Sequence, residues 1–335
     1  MCRCLATQAV GFSLVSATAR AGYRSIVTGC GTDPRASHRL PAGRVAGRAP
    51  AGPVWSDSGM DGTGTAATAA RLRSVAEAVA GDAAAHLRDL PPPTGATATK
   101  SSPTDVVTAA DTAVETLVRD RLAALRPGEP VVGEEAGGSA GTADVAWVVD
   151  PIDGTVNYLY GLPWYAVSVA AVQAGRTVAG AVAEPASGRL WSAARGGGAT
   201  CDGRALRVST ATDTALALVG TGFSYRADRR ARQALLLSAL LPRVRDVRRA
   251  GSAALDLCAV AAGWLDGYAE HGTNWWDWAA AALIAEEAGA VVRVPGPPGT
   301  EPPEDGLGDD LVLAAAPGVA AGLAGMLREL GAADV

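Results

Sequence analysis

Four carboxylates stand at the ends of apolar segments of this chain, where acidic side chains can converge on one ion. They are Glu134 in Gly133-Glu134-Glu135, Asp150 and Asp153 in Asp150-Pro151-Ile152-Asp153-Gly154-Thr155, and Asp277 in Trp276-Asp277. Clustered carboxylates repel one another unless protons or metal ions neutralise them. One such acid is readily explained as a surface cap on a strand, but four together are not. The simplest interpretation is a site for hard divalent cations, which prefer oxygen ligands.

The second of these strings has the pattern of a buried strand that ends in a sharp turn. The apolar run 145–149 leads directly into Asp150. Pro151 has no N–H with which to continue a ladder of hydrogen bonds, and Gly154 permits a tight turn. We therefore expect the strand to stop pairing at Asp150, and the turn to hold Asp150 close to Asp153.

Two other strings resemble catalytic motifs and are interpreted differently. Cys201 and Arg207 have the Cys-x5-Arg spacing of cysteine phosphatases, but they lack the preceding histidine and the glycine-rich phosphate loop, and Asp202-Gly203 is typical of a tight turn. The string from Asp150 to Thr155 resembles the nucleophile loop of haloacid-dehalogenase phosphatases, but one additional residue misplaces the second acid.

The chain has only three histidines, so a histidine-based zinc site is not expected.

The composition indicates a cytoplasmic protein without a membrane or nucleic-acid partner. Three of the five cysteines lie within the first 30 residues, which makes no disulfide framework and suggests a reducing compartment. No stretch approaches the ~20 apolar residues of a membrane-spanning helix. From Met60 onward 32 acidic residues outnumber 22 basic ones. This balance argues against a nucleic-acid surface and suits a protein that recruits cations.

The first 59 residues differ in composition from the rest of the chain. They hold seven arginines and two acidic residues, and they show little periodicity. We interpret them as a disordered leader, or as a segment upstream of a true start at Met60. The folded domain is therefore predicted to span 60–335, which is long enough for an ample core.

Hydrophobic periodicity predicts a mixture of helices and strands after this leader. Helical spacing is found at 65–89, 109–125, 228–240, 252–263, 277–288 and 317–330. Strand patterns are found at 131–133, 145–150, 165–173, 177–183, 189–194, 206–208 and 311–315, with a hairpin turn at 201–204. The mixture predicts a layered α/β fold without internal repeats.

Taken together, the strings resemble the inositol monophosphatase family of magnesium-dependent, lithium-sensitive sugar and inositol phosphatases. The resemblance is carried by the segments 100–111, 133–135, 150–157, 248–254 and 270–277, which occur in the family's order and spacing. It covers the chain from about residue 66 to the end. It implies the family's α-β-α-β-α sandwich, a fold of the α/β class, usually assembled as a homodimer.

The resemblance also implies roles for the acidic residues. Glu134, Asp150 and the carbonyl of Ile152 would hold one Mg²⁺, and Asp150, Asp153 and Asp277 would hold a second, with two or three ions per site. Mg²⁺ favours carboxylates, retained waters and substrate phosphate over a closed cage of protein ligands. Thr155, hydrogen-bonded to Asp111, would orient the attacking water together with Glu134. The reaction implied is an in-line displacement by this water without a covalent phosphoenzyme.

The substrate implied is a phosphate monoester. The substrate-binding set implied by the family comprises Asp153, Gly154, Thr155, Arg248, Ser252, Ala253 and Glu270, with the N–H groups of Gly154 and Thr155 on the phosphate. Glu270 matches the position that accepts hydrogen bonds from inositol hydroxyls, which favours myo-inositol 1-phosphate. Histidinol phosphate, 3′-phosphoadenosine 5′-phosphate and fructose bisphosphate remain open as alternatives. A non-enzymatic role also remains open, because some relatives bind the transcription machinery.

Overall fold

The computed structural model describes residues 62–91, 95, 98–100 and 105–335, and the predicted leader at 1–59 lies outside them. The helices are α1 Gly62–Asp89, α2 Ala109–Leu125, α3 Thr155–Leu159, α4 Ala227–Leu240, α5 Ala253–Ala261, α6 Trp275–Glu287 and α7 Pro317–Glu329. The strands are β1 Ala98–Thr99, β2 Val106–Val107, β3 Val131–Gly133, β4 Ala146–Asp153, β5 Ala166–Gln173, β6 Arg176–Ala183, β7 Leu190–Ala194, β8 Ala199–Cys201, β9 Arg204–Ala205, β10 Leu218–Thr221, β11 Asp246–Arg248, β12 Gly267–His271, β13 Val291–Arg293 and β14 Leu311–Ala315.

Twelve of these strands form two sheets. The larger sheet has seven strands in the order β3-β4-β5-β6-β7-β8-β9, and only its β3–β4 pair is parallel. The smaller sheet has five strands in the order β11-β10-β12-β14-β13, with β10 parallel to both of its neighbours. The short strands β1 and β2 pair separately in an antiparallel ladder.

The helices and sheets alternate in five layers. Helices α1 and α2 cover one face of the larger sheet, α5 and α6 lie between the two sheets, and α4 and α7 cover the far face of the smaller one. Helix α6 is apolar around nearly its whole circumference, as expected of a helix that is buried on all sides. Gly180 on β6 permits its close approach, because a Cβ there would lie 2.9 Å from Ala280 Cα. The predicted α-β-α-β-α sandwich is confirmed.

The prediction that the chain stops pairing at Asp150 is wrong. Strand β4 continues through Pro151 and pairs again at Asp153, opposite Ala166 of β5. The register shifts between Asp150 and Asp153, so the proline lies in an irregularity of the ladder, where its missing N–H costs no regular pair. The sharp turn comes later, at Gly154, whose φ is 96°.

The other differences concern short elements. Residues 206–208 form no strand, and helix α3 and the strands β1, β2, β8, β9, β10, β11, β12 and β13 had not been predicted. The predicted helix at 109–125 agrees residue for residue with α2, and the strands at 131–133 and 311–315 agree with β3 and β14. Among the described residues, no helix is both long and apolar enough to cross a membrane.

Candidate active site

A cavity of about 380 Å³ opens where the ends of several elements meet. Glu134 follows β3, Asp150 and Asp153 close β4, Glu270 lies on β12, and Asp277 lies in the first turn of α6. All five carboxylates line the cavity, together with Ile152, Gly154, Thr155 and Ala253. The structure therefore brings together nearly all of the residues that the sequence analysis selected.

Burial and mutual repulsion make these carboxylates hard to ionise without a counter-charge. Asp150 and Asp277 have pKa values well above their ordinary range, first because of burial and then because of the charge of Glu134 and the other acids. Burial also raises the pKa of Glu134, which keeps some accessible surface on the cavity side. A cation in the cavity would relieve this repulsion.

Lys100 shows how this cluster holds positive charge. Its Nζ donates to Glu134 Oε1 and to Glu135 Oε1, both at 2.6 Å. Burial alone would lower the pKa of Lys100, but the charges and hydrogen bonds of these two glutamates outweigh burial and raise it. Among the described residues, no three acids, histidines or cysteines enclose a metal position by themselves. An open set of carboxylates fits Mg²⁺, which keeps waters and substrate oxygens among its ligands.

Asp153 is held by the first turn of α5. Its carboxylate accepts hydrogen bonds from Ala254 N at 2.7 Å, from Ala253 N at 3.3 Å and from the Ser252 hydroxyl. Burial raises the pKa of Asp153 to about 6, although these three donors oppose the shift. Ser252 is also the N-cap of α5, and it is 1% exposed and absent from the cavity wall. Its hydroxyl faces Asp153 rather than the cavity, and its contact with substrate stays a prediction.

Thr155 lies at the start of α3 with its hydroxyl between two acceptors. Asp111 Oδ1 is 3.1 Å from Thr155 Oγ1, and the carbonyl oxygen of Ile152 is 3.0 Å away. Asp111 is fully buried, and its Oδ2 accepts from the N–H and the hydroxyl of Thr108, both at 2.7 Å. The structure thus contains the expected hydrogen bond between Thr155 and Asp111. Because the hydroxyl proton is directed at these acceptors, a Thr155 lone pair remains free to accept from a water molecule.

Glu270 lies in the wall of the cavity beside an unusually close glycine. Its Oε2 accepts from the Tyr268 hydroxyl at 2.7 Å, and burial raises its pKa. A Cβ on Gly222 would lie within 1.9 to 2.1 Å of three carboxylate atoms of Glu270, so only glycine leaves room for this side chain.

Arg248 does not reach the cavity, contrary to the sequence analysis. It is exposed, and its Nη1 donates to Asp246 at 2.6 Å and to the carbonyl of Val247. Arg249 lines the cavity in its place, and its charge opposes the upward shift in the pKa of Glu270. Consecutive residues at the end of a strand point to opposite sides. The choice between the two arginines therefore depended on the register of β11, which had not been identified.

Other residues position the site without lining it. Asn157 Nδ2 donates to the carbonyl oxygens of Trp164 and Ala250, at 2.7 and 2.9 Å, and so ties α3 to the segment before α5. Asparagine occurs only twice in the chain, and this rarity is a weak sequence signal for Asn157, which lies in the segment 150–157. Glu115 and Asp256 carried no signal, because an acid within a helical pattern is normally a solvent-exposed residue.

Asp256 provides a test of the electrostatics of this region. It is 2% exposed on α5, and burial, followed by the charges of Glu270 and Asp153, raises its pKa to about 8. The folded state then holds this proton more tightly than the unfolded chain, so stability is lost as pH rises from about 4 towards 8. We expect Asp256→Asn to raise the Tm of the metal-free protein relative to wild type, by a margin that grows between about pH 5 and about pH 8.

Thermal scans of both proteins across this pH range check the expectation. Asp144→Asn is the control, because it makes the same substitution at an exposed aspartate, in the segment before β4. A difference in Tm that stays constant with pH would contradict the raised pKa of Asp256.

Comparisons with known proteins agree with this arrangement. A sequence profile described as the inositol monophosphatase family matches residues 68–332. Inositol-1-monophosphatase of Mycobacterium leprae is 54% identical over 277 residues, 77% of this chain and 94% of that protein. The solved structure of Mycobacterium tuberculosis SuhB superposes with a TM-score of 0.66 at 48% identity, over 79% of this chain and 98% of that one. Nus factor SuhB of Escherichia coli K12 is 41% identical over 202 residues, 60% of this chain and 76% of that protein.

The fold and the carboxylate cavity define the class of protein, and the comparisons agree with that class. It is a phosphoric monoester hydrolase built as an α-β-α-β-α sandwich. The chain belongs to the inositol monophosphatase family. Family membership was expected from the strings around Glu134, Asp150 and Asp277, and it is confirmed.

Proposed function

We propose that the protein hydrolyses myo-inositol 1-phosphate to inositol and phosphate, in a Mg²⁺-dependent reaction without a covalent intermediate. The observation that carries the substrate assignment is the position of Glu270 in the wall of the carboxylate cavity. The hydrogen bonds of the described residues give its carboxylate one donor, Tyr268. Its other lone pairs can accept hydrogen bonds from vicinal hydroxyls of a polyol ring.

The residues proposed to hold the metal are all acids of the cavity except for one carbonyl. They are Glu134, Asp150, Asp153, Asp277 and the carbonyl of Ile152. Together they would hold two or three Mg²⁺ ions, and Asp150 would be a ligand of two of them. When bound, Mg²⁺ supplies Lewis-acid charge to the phosphoryl group and lowers the pKa of water. The raised pKa values of Asp150 and Asp277 support this assignment, because a bound cation would compensate charges that now repel one another.

The chain's own polar groups position the reactants. Thr155, supported by Asp111, accepts a hydrogen bond from the attacking water, and Glu134 orients the same water. The N–H groups of Gly154 and Thr155 lie at the turn after β4 and bind the phosphate oxygens. Glu270, Ala253 and Arg249 line the cavity and would border the ring of the substrate. Positioning of this kind accounts for much of the acceleration of phosphoryl transfer.

Further parts of the proposal rest on family membership alone. They are assembly as a homodimer, location in the cytoplasm and inhibition by lithium. Within the enzyme class, histidinol phosphate, 3′-phosphoadenosine 5′-phosphate and fructose bisphosphate are the alternative substrates.

A role in transcription is a second candidate function. It is favoured by the relatives from Escherichia coli and Salmonella typhimurium that are named Nus factor SuhB. The carboxylate cavity favours the enzymatic function, because a protein that only binds partners has no use for clustered, hard-to-ionise acids. Phosphate release measured with and without Mg²⁺ separates the two functions, since a pure interaction protein would release none.

Substrate preference tests the role of Glu270 directly. We expect myo-inositol 1-phosphate to have a higher kcat/KM than histidinol phosphate, fructose 1,6-bisphosphate or 3′-phosphoadenosine 5′-phosphate. A substrate without the matching hydroxyls would leave Glu270 desolvated and unpaired, at a cost of about 1–3 kcal/mol. This cost corresponds to a preference of roughly ten- to hundredfold. Glu270→Gln should therefore reduce kcat/KM for inositol phosphate by about this factor, and for p-nitrophenyl phosphate much less.

Arg248→Ala is the control for this comparison, because Arg248 is paired with Asp246 outside the cavity. It should leave both substrates unaffected. If Glu270→Gln reduced both substrates equally, or if the unmodified protein preferred histidinol phosphate, the inositol assignment would fail while the phosphatase assignment stood.

A further inference from the structure

The loop that carries Glu134 is held from one side by a buried carboxylate of α2. Glu115 is 2% exposed and lies four residues after Asp111, so both acids stand on one face of the helix. Its Oε2 accepts from the N–H of Glu135 at 2.7 Å, and its Oε1 accepts from the N–H of Ala136 at 3.0 Å. One buried side chain thus fixes the two consecutive amides that follow Glu134.

Arg119, one turn further along α2, holds the carbonyl groups of the same loop. Its Nε donates to Glu115 Oε1 at 2.8 Å. Its two terminal nitrogens donate to the carbonyl oxygens of Val131, at 3.2 Å, and Gly137, at 2.6 Å. The loop is closed by its own backbone as well, because Gly133 N donates to the Gly137 carbonyl at 3.0 Å. Glu115 therefore binds the N–H groups of the loop, and Arg119 binds its carbonyl groups.

The glycine of Gly133-Glu134-Glu135 is explained by this carboxylate. A Cβ on Gly133 would lie 2.3 Å from Glu115 Oε1 and 2.8 Å from Oε2. Its φ is not positive, so the position needs space rather than an unusual backbone conformation. Glycine therefore lets the Glu115 side chain approach the backbone immediately before Glu134.

We infer that Glu115 and Arg119 form a clamp that sets the position of Glu134 for metal binding, so that Glu115 is a positioning residue for the reaction. The inference rests on the Mg²⁺ dependence proposed above. Glu115 acts through the two backbone amides that follow Glu134 rather than on the ion. Mg²⁺ demands near-ideal octahedral geometry and tolerates little displacement of its ligands. Loss of groups that orient metal ligands typically weakens metal binding by about 10- to 100-fold.

Glu115→Gln tests the clamp with almost no change in volume. The glutamine amide can accept from one backbone N–H, but its NH₂ group then opposes either the second N–H or Arg119. We expect the Kd for Mg²⁺, measured by calorimetry without substrate, to rise by about 10- to 100-fold. At saturating Mg²⁺, kcat should recover to within about threefold of wild type, because Glu134 itself is retained. A role confined to folding would lower Tm and leave the Kd of the folded protein unchanged, which would overturn the inference.

Two further variants keep the test decisive. Gly133→Ala displaces the Glu115 carboxylate from the opposite side and changes no charge, so it should weaken Mg²⁺ binding in the same way, even if Glu115→Gln fails to fold. Asp82→Asn is the matched control, because it breaks another ion pair of α2, the exposed Arg121–Asp82 contact at 3.2 Å. It should leave the Kd for Mg²⁺ unchanged.

Amide hydrogen exchange in the metal-free protein separates failure of the clamp from failure of the proposed function. The N–H groups of Glu135 and Ala136 should exchange at least about tenfold faster in Glu115→Gln and in Gly133→Ala than in wild type. Unchanged exchange in both variants would overturn the clamp. If wild type neither bound Mg²⁺ nor released phosphate, the proposed function would fail, while the exchange rates would still decide whether Glu115 holds the loop.

Discussion

Asp150→Asn is expected to remove nearly all Mg²⁺-dependent phosphatase activity while leaving the fold intact. Asp150 is 1% exposed, faces Glu134, Asp153 and Asp277, and is proposed to be the ligand shared by two metal positions. Stabilisation of phosphoryl charge by metal ions is worth several kcal/mol. A loss of about 4 kcal/mol corresponds to about a thousandfold in rate. Steady-state kinetics at saturating Mg²⁺ should therefore show a fall in kcat/KM of this order, and Asp277→Asn should change it in the same direction.

Stability measurements show whether the lost activity reflects lost metal binding. Burial raises the pKa of Asp150 in the folded state, so ionisation destabilises the metal-free fold increasingly as pH rises above the unfolded pKa of about 4. The neutral asparagine removes this penalty, and the metal-free variant should melt at or above the wild-type Tm near about pH 8. Added Mg²⁺ should then raise the Tm of wild type and not that of the variant.

Asp144→Asn serves as the control for both measurements, because it makes the same substitution at an exposed position before the same strand. Near-normal turnover of Asp150→Asn at saturating Mg²⁺ would contradict the metal assignment.

The sequence predicted the elements whose patterns are long and regular. Helix α2 was placed correctly because Val114, Val118 and Leu122 recur at helical spacing and are buried. The core strands β5 and β6 are mostly apolar and were likewise predicted to within a residue. The smaller sheet was mostly missed. Its strands are three to five residues long, and Gly220 and Gly267 interrupt their patterns, so their burial depends on α4 and α7 packing against them.

The candidate site was predicted where one segment carries both the strand and the acids. Asp150, Asp153 and Thr155 lie within six residues, and Glu134 and Asp277 each adjoin an apolar segment. Two residues, Ser252 and Arg248, lie outside the cavity wall, because the direction of their side chains depends on tertiary structure. Ser252 is directed to Asp153 by the orientation of α5, and Arg248 is directed away from the cavity by the register of β11. Neither the orientation of α5 nor the register of β11 can be predicted from a local pattern in the sequence.

The dependence of side-chain contacts on tertiary structure also explains why Glu115 and Asp256, which support the site, were not predicted. Glu115 and Asp256 are buried acids in helices. The carboxylate of Glu115 accepts hydrogen bonds from groups distant in sequence, and the charges of distant groups help to raise the pKa of Asp256. A helical wheel places such residues on one face but does not show what covers that face. Their function therefore follows from contacts between layers, which appear only once the sandwich is assembled.

Thr155→Val is expected to lower kcat by about a hundred- to a thousandfold, with little change in the Kd for Mg²⁺. The substitution retains the shape of the side chain and removes the hydroxyl that lies 3.1 Å from Asp111 Oδ1. That hydroxyl is proposed to accept a hydrogen bond from the attacking water, and proton transfer to or from a positioned side chain is typically worth about 10²–10⁴-fold. Substrate binding should change little, because the backbone N–H groups at the phosphate end are retained.

Thr155→Ser is the matched variant, since it keeps the hydroxyl and loses only a methyl group. It should retain kcat to within about tenfold of wild type, because the oxygen can still lie between Asp111 and the carbonyl of Ile152. Pre-steady-state phosphate release, with Mg²⁺ binding measured separately, distinguishes a slower chemical step from a weaker metal site. Equal losses in Thr155→Val and Thr155→Ser would show that the methyl contact matters rather than the hydroxyl, and wild-type kcat in Thr155→Val would exclude Thr155 from positioning the water.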